Sequence, residues 1–222
     1  MKAVELSKAF DHKDFEDRIY SMWKESGHFA PAGDGDKEPF VIVIPPPNVT
    51  GVLHMGHGLN NTLQDILIRF YRMKGNPTLW VPGTDHAGIA TQNVVEKKLR
   101  AEGTSRHELG REKFIERTWK VKEEHHAVIS RQLEKIGASC DWSRERFTMD
   151  EGLSEAVTHV FVELYRRDLI YKGEYLVNWC PSCGTALSDD EVEHREVHGK
   201  IWRYVYPLVD GSGSIQIATT RL

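Results

Sequence analysis

Two histidines, His54 and His57, stand three residues apart with Gly56 between them, inside the segment PPPNVTGVLHMGHG at 45–58. The segment leaves an apolar run, FVIVI at 40–44, and enters a stretch with helical periodicity. A three-residue step on a helix puts both imidazoles on one face. A helix start offers unpaired N–H groups and the positive end of the helix dipole, so an anion such as phosphate is the expected guest. Two imidazoles aimed at it could donate hydrogen bonds to charge that builds up in a transition state. Gly56 removes a side chain where a flat ring could lie against the backbone. The same residues allow a plainer reading, in which the histidines cap the helix and the glycine serves a turn. A second segment, GTDHAG at 83–88, follows another apolar run. Asp85 within it could hold a cationic amino group or act as the N-cap of the next helix. A third, CPSCG at 180–184, places Cys180 and Cys183 at the spacing of a metal-binding turn, with His194 and His198 nearby as candidates to complete a site. Its flanks lack the βαβ setting that a redox dithiol needs.

The elements that must position these groups read as strand, helix, strand, helix. FVIVI lacks alternation, which fits a strand covered on both faces, as in a parallel sheet. Leu59, Leu63, Ile66, Leu67 and Phe70 recur at three- and four-residue steps and predict a helix to about Lys74, stopped by Gly75. A second apolar run, TLWVPG at 78–83, leads through GTDHAG into a helical segment ending near Arg100. This order is the βαβ pattern of a doubly wound parallel sheet, which binds ligands at the carboxyl ends of its strands. Both the histidine segment and the Asp85 segment fall there. A helix is expected over 12–28, with Phe15, Ile19, Met22 and Trp23 on one side, and a loop over 31–39. A long charged helix follows over about 108–136, with Phe114, Val121, Val128 and Leu133 among its apolar positions, and another over about 153–168. From Ile170 onward, short strands around the cysteine knuckle predict a small β-rich tail. The domain reading is an N-terminal helix and linker over 1–39, an α/β body over 40–169 and the tail over 170–222.

Composition bounds the function. The 222 residues are 40% hydrophobic and 28% charged, as in an ordinary soluble globular protein. A balance of 29 Lys+Arg against 33 Asp+Glu gives a net charge of -4, which excludes a dedicated polybasic arm but not a local basic patch. Three cysteines do not make a disulfide framework and point to a reducing compartment. No apolar run nears the ~18 residues of a membrane span, and the first residues lack the apolar stretch of a secretory signal. A cytoplasmic protein with no membrane partner is expected.

Together, PPPNVTGVLHMGHG and GTDHAGIATQ closely resemble the opening of the catalytic domain of class I aminoacyl-tRNA synthetases, and HMGH at 54–57 matches that family's His-x-Gly-His signature. Relatives for isoleucine and leucine usually show Trp-Asp-x-His-Gly where this chain has Gly83-Thr84-Asp85-His86-Ala87-Gly88, so the PPPN start and the GTDHAGIATQ block both favour the valine branch. The resemblance runs on through GASCDWSRERFTMDE, VNWCPSCGTALSDDEVE and the closing IATTR, covering the chain from about residue 12. It implies an α/β fold with a Rossmann-like, doubly wound parallel sheet, first half only, and a small zinc-knuckle-like tail. It implies ATP, with Mg2+, and valine as substrates, and tRNA(Val) as the partner of the full-length family member. By the same resemblance His54 and His57 would contact ATP phosphates and stabilise the transition state for attack by the amino acid carboxylate. Gly56 would lie under the adenine ring and Asn48 beside the nucleotide. Asp85 would pair with the substrate α-amino group, and Pro45 would form part of the wall near the small branched side chain. Adenylate formation of this kind asks mainly for positioning and neutralised phosphate charge. An apolar pocket cannot strongly reject an isostere that adds a hydroxyl, the valine enzyme facing threonine being a standard example, which is why the family adds hydrolytic proofreading. Family members that bind Zn2+ here draw further cysteines from beyond this chain's last residue, leaving Cys180 and Cys183 as an incomplete set.

The sequence contains no Lys-Met-Ser-Lys-Ser loop, no second half of the nucleotide-binding sheet and no anticodon-binding helices. Thr219, Thr220 and Arg221 match at most the opening of a proofreading site. The expectation is an N-terminal fragment of a synthetase that retains ATP and valine binding at most. The alternatives are a synthetase-like module that binds RNA or protein without catalysis, and an inactive remnant.

Overall fold

The structure, a computed structural model, describes residues 9–32 and 35–221. The described residues divide into two compact units, one ending at Arg167 and the other beginning at Asp168. Chain order in the first unit is α1 (Glu16–Glu25), β1 (Phe40–Val43), α2 (Met55–Met73), β2 (Thr78–Val81), β3 (Gly83–Thr84), α3 (Gly88–Ala101), α4 (Arg106–Leu109), α5 (Arg111–Lys135), β4 (Arg146–Phe147) and α6 (Glu151–Arg166). The expected first helix is shorter than its apolar pattern, because a 3-10 turn at His12–Asp14, capped by the Asp11 carboxylate, takes its first residues. Part of the expected 31–39 loop lies outside the described residues.

The strands are parallel. β1 pairs with β2 from Phe40 opposite Thr78 to Val43 opposite Val81, and β3 pairs with β4. These are two separate ladders of two strands, but Pro82 alone separates β2 from β3, and backbone hydrogen bonds run on beyond the strand ends. Along 77–85 the carbonyls alternate in direction. Those of Pro77, Val81 and Asp85 accept from Phe40, Ile44 and Val49, while those of Trp80, Pro82 and Thr84 accept from Asp141, Arg146 and Thr148. One extended segment therefore carries a neighbour on each edge, as the period-two geometry of a strand requires. Gly83 permits the closest of these approaches, since a Cβ there would lie 2.7 Å from the backbone oxygen of Arg146.

The core lies on one face of this arrangement. Ile44, Trp80 and Cys140 pack with Ile68 of α2 and with Ile129 and Leu133 of α5. The reading of β1 as covered on both faces is overturned, because burial alternates along it. Val41 and Val43 are 54% and 68% exposed, while Ile42 and Ile44 turn toward the helices. The helix predicted from Leu59, Leu63, Ile66, Leu67 and Phe70 is present, yet all five are exposed. Its inner side carries Ile68 and polar groups instead. Asp65 accepts from the Ser139 amide and hydroxyl, and Arg72 donates to the Ser139 hydroxyl and to the carbonyls of Ser139 and Phe29. Burial of these groups is tolerable because both guanidinium NH2 groups of Arg72 and the Asp65 carboxylate find partners, although Arg72 Nε is buried without one. A second cluster, Val95 and Leu99 of α3 with Val121 of α5, joins those two helices.

The second unit is built from two antiparallel hairpins, β5 (Asn178–Cys180) with β6 (Thr185–Leu187) and β7 (Trp202–Pro207) with β8 (Ser214–Thr219). Gly184 and Gly211 take the left-handed conformation that their turns demand. Among the described residues no helix is long and apolar enough to cross a membrane.

Gly83→Ala forces a methyl against the Arg146 carbonyl and is expected to destabilise the first unit by about 1–3 kcal/mol, the usual cost of overpacking. Val43→Ala, on the open face, is expected to change stability by no more than about 0.5 kcal/mol. Urea unfolding of the two variants beside the parent chain checks the contrast.

Candidate functional site

The connection from β1 to α2 carries the histidine pair, and the structure gives both rings a defined task. His54 is the N-cap of α2, with extended backbone (φ -114°, ψ 175°). Its Nδ1 accepts from the Gly56 amide at 3.1 Å, and Nδ1 of His57 accepts from the His54 amide at 3.2 Å. This is the reciprocal arrangement of a capping box, made with imidazoles in place of the usual hydroxyl and carboxylate. The ring centroids sit 3.9 Å apart. Because each neutral ring spends its Nδ1 lone pair on a backbone amide, its proton lies on Nε2. Capping and donation are therefore compatible, since the cap turns two Nε2–H donors away from the backbone at the positive end of a 19-residue helix. Burial, and then the neighbouring His54, hold His57 below the usual histidine range, which favours this neutral form. Gly56 has a specific reason to lack a side chain: a Cβ there would come within 2.9 Å of the His54 ring. The flat ring against Gly56 is thus His54's own imidazole.

The Asp85 segment meets the same connection. Asp85 donates its amide to the Pro47 carbonyl at 2.9 Å and accepts at its carbonyl from Val49 at 3.0 Å, so Asn48 and Asp85 stand side by side as a parallel bridge. Asn48 and Pro45 are both exposed. The N-cap alternative for Asp85 is overturned. The N-cap of α3 is Ala87, in the left-handed region (φ 45°) and without a side-chain cap, a conformation that costs a non-glycine residue about 1–2 kcal/mol. The Asp85 carboxylate instead accepts from the Thr148 hydroxyl at 2.9 Å, and it is part-exposed.

Sequence reasoning missed two kinds of supporting residue. Thr148, just beyond β4, touches both Asp85 and His86. On α5, His125 lies 2.8 Å from the Val49 carbonyl through Nδ1, and His126 lies 3.0 Å from the Thr84 hydroxyl. Nε2 of His126 faces Glu145 at 3.5 Å. Burial pushes Glu145 up, but the His126 and Ser130 contacts and the charge of Lys122 more than offset it and leave the carboxyl below its usual range. The adjacent histidines fasten α5 to the ends of the 40–49 and 78–85 segments. Their signal was the spacing Val121, His125, Ile129, Leu133, which places His125 on the helix's buried face. Beside them a cavity of about 700 Å3 is lined by Val49, His86, Thr91, Phe114, Trp119 and Phe147.

Cys140 is fully buried in the core, and burial pushes its thiol up. Cys180 and Cys183 flank the β5–β6 turn, where the Cys183 amide lies 3.4 Å from Cys180 Sγ. Backbone N–H groups, that of Cys183 first, hold the Cys180 thiol below its usual range, as a metal-binding knuckle would. Among the described residues, however, no three His, Cys, Asp or Glu side chains gather to hold a metal ion, so His194 and His198 do not complete the set. Two thiolates are half of a closed tetrahedral site, and the described residues by themselves do not fit a structural zinc.

Comparison with known proteins places this geometry. Residues 18–211 match the family model described as tRNA synthetases class I (I, L, M and V). A valine–tRNA ligase of Treponema denticola is 59% identical over all of this chain and 26% of its own length. That of Desulfotalea psychrophila is 62% identical over 97% of this chain and 24% of its own, and that of Geobacter sulfurreducens 59% identical over 100% and 25%. The chain thus spans about a quarter of the length of the curated relatives it matches. Among solved structures, the LeuRS chain of a ternary LeuRS–tRNA–LeuAMS complex from Agrobacterium radiobacter K84 superposes with a TM-score of 0.66. It is 22% identical and covers 96% of this chain and 24% of its own, a likeness of fold.

The lowered His57 pKa has a sign. The unfolded chain takes up this proton first as pH falls, so the contribution to stability is present above the usual ~6.5 and is lost as pH drops through the lowered value. Imidazole NMR titration is expected to give His57 a midpoint below ~6.5, and His54→Ala is expected to move it upward. An unchanged midpoint in that variant contradicts the coupling of the two rings.

Proposed function

The chain belongs to the class I tRNA synthetase family, and from that premise we propose that it is the nucleotide- and amino-acid-binding opening of a valine–tRNA ligase. In the whole enzyme this part takes ATP with Mg2+ and valine toward valyl-adenylate, and the valyl group passes to tRNA(Val). The three parallel segments, 40–49, 78–85 and 141–148, are on this reading the first half of a doubly wound, Rossmann-like sheet. The substrates then lie at the carboxyl ends of the strands.

The observation that carries the reading is the imidazole cap of α2. It supports a phosphate role because both Nε2–H donors are fixed in direction before any ligand arrives, and preorganised donors stabilise developing charge without reorganisation. His54 and His57 are the catalytic pair that binds the ATP phosphates. Gly56 and Asn48 line the nucleotide's path, Asp85 takes the α-amino group of valine, and Pro45 borders its side chain. The part-exposed Asp85 carboxylate suits an ammonium partner, since an opposite charge within reach favours the ionised form of both. The identity of the relatives supports valine as the amino acid. The protein works with substrates and tRNA and needs no membrane partner.

A thermal shift with a non-hydrolysable ATP analogue and Mg2+ tests this. At a hundred times its dissociation constant such a ligand is expected to stabilise the folded chain by about 2.7 kcal/mol. The His54→Ala, His57→Ala double variant is expected to lose most of that gain. Equal stabilisation of the two chains removes the histidines from phosphate binding, and a parent chain that does not respond removes nucleotide binding from this part.

A further inference from the structure

Thr148 stands at the end of the 141–148 segment, on the opposite edge of the central segment from Asn48. Its hydroxyl oxygen meets three atoms: Asp85 Oδ1 at 2.9 Å, the His86 amide at 2.9 Å and His86 Nδ1 at 2.6 Å. A threonine hydroxyl has one proton and two lone pairs. The carboxylate can only accept, so that proton goes to Asp85. The two lone pairs then receive the His86 amide proton and a proton on Nδ1. This assignment satisfies all three partners at once, and for a neutral His86 ring it puts the proton on Nδ1.

The consequence falls on Asp85. His86 Nδ1 is also only 3.3 Å from Asp85 Oδ1, close enough to compete for the carboxylate. The Thr148 hydroxyl takes up that Nδ1–H and presents its own neutral O–H to the carboxylate. Asp85 is thereby held in one rotamer while its charge stays uncommitted. We propose that Thr148 is a positioning residue for amino acid recognition, which holds the Asp85 carboxylate oriented and keeps His86 from neutralising it. The inference rests on the reading of Asp85 as the ammonium partner. The class of ligand it serves is a primary α-ammonium group attached to a small branched side chain.

Two measurements separate this inference from the reading beneath it. The first compares binding of valyl-sulfamoyl adenosine with that of the same molecule lacking the α-amino group, by calorimetry on the full chain. The parent chain is expected to prefer the amine, and Asp85→Asn to lose that preference. Thr148→Val, which keeps the shape and removes the hydroxyl, is expected to weaken the amine-bearing ligand roughly tenfold, the size of one hydrogen bond to a charged group, and to leave the des-amino ligand unchanged. Thr148→Ser is expected to restore the preference. Equal losses for both ligands in Thr148→Val mean that the residue serves only the local fold, and overturn the inference while the Asp85 reading stands. A parent chain without preference for the amine overturns both. The second needs no ligand: imidazole 15N shifts of the neutral His86 ring are expected to place its proton on Nδ1. A proton on Nε2 overturns the inference by itself, because Thr148 would then have to donate to Nδ1 and could not hold Asp85.

Discussion

An extended segment hydrogen-bonded along both edges is the constraint on which the first unit depends. Strand geometry sends alternate carbonyls of residues 77–85 to opposite sides, and both sets find backbone amides. This places the 45–49 connection on one side of Asp85, bonded to its backbone, and Thr148 on the other, bonded to its carboxylate, so that Pro47 and Thr148 meet at one residue. The packing beneath is equally specific. Ile68 of α2 and Ile129 and Leu133 of α5 bear on Ile44 and Trp80, and His125 and His126 add polar ties from α5 to the ends of the 40–49 and 78–85 segments. The candidate site is thus carried on regular elements, whose rigidity suits a reaction that needs positioning more than covalent chemistry.

On the proposed reading, a stabilising interaction and a functional one share the same residues at the α2 entrance. An aspartate at an N-cap satisfies the helix but brings no donor, and a serine there keeps an O–H that is free to rotate. An imidazole has two nitrogens: one satisfies the helix, and the tautomer this imposes turns the other into an outward donor. The pairing of His54 with His57 doubles the effect and requires Gly56, whose missing Cβ leaves space for the first ring. A comparable economy operates at Thr148, where one hydroxyl orders a carboxylate and an imidazole together. Both devices fix proton positions with uncharged donors, so the Asp85 carboxylate is oriented without an opposite charge on it.

Much of this was legible in the sequence, for physical reasons that differ by element. Gly75 stops α2 where predicted because a left-handed residue ends a helix locally. The βαβ order was readable because strand and helix have different apolar periods. The buried side of α2 was not readable, because Asp65 and Arg72 face inward onto Ser139 and the Phe29 carbonyl while Leu59, Leu63 and Ile66 face outward. A polar residue with a partner elsewhere in the chain looks, in sequence, like a solvent-facing one. The one-sided cover of β1 was missed for a similar reason: an apolar run records a residue's preference, and not what is present to cover it. The candidates His54, His57 and Asp85 were singled out by type and spacing, and the structure brings their two segments to neighbouring strand ends. Thr148 was not, since its role arises from a contact across 63 positions and a threonine near the end of a short strand carries no local mark.

The central claim is that the imidazole cap and the Asp85 carboxylate address two ends of one ligand. A crystal structure of the chain bound to valyl-sulfamoyl adenosine tests it most directly. The sulfamoyl oxygens are expected within hydrogen-bond distance, about 3.2 Å or less, of the Nε2 atoms of His54 and His57, with the ammonium group on Asp85. A ligand lodged instead in the cavity between Phe114 and Trp119, with both histidines untouched, would contradict it.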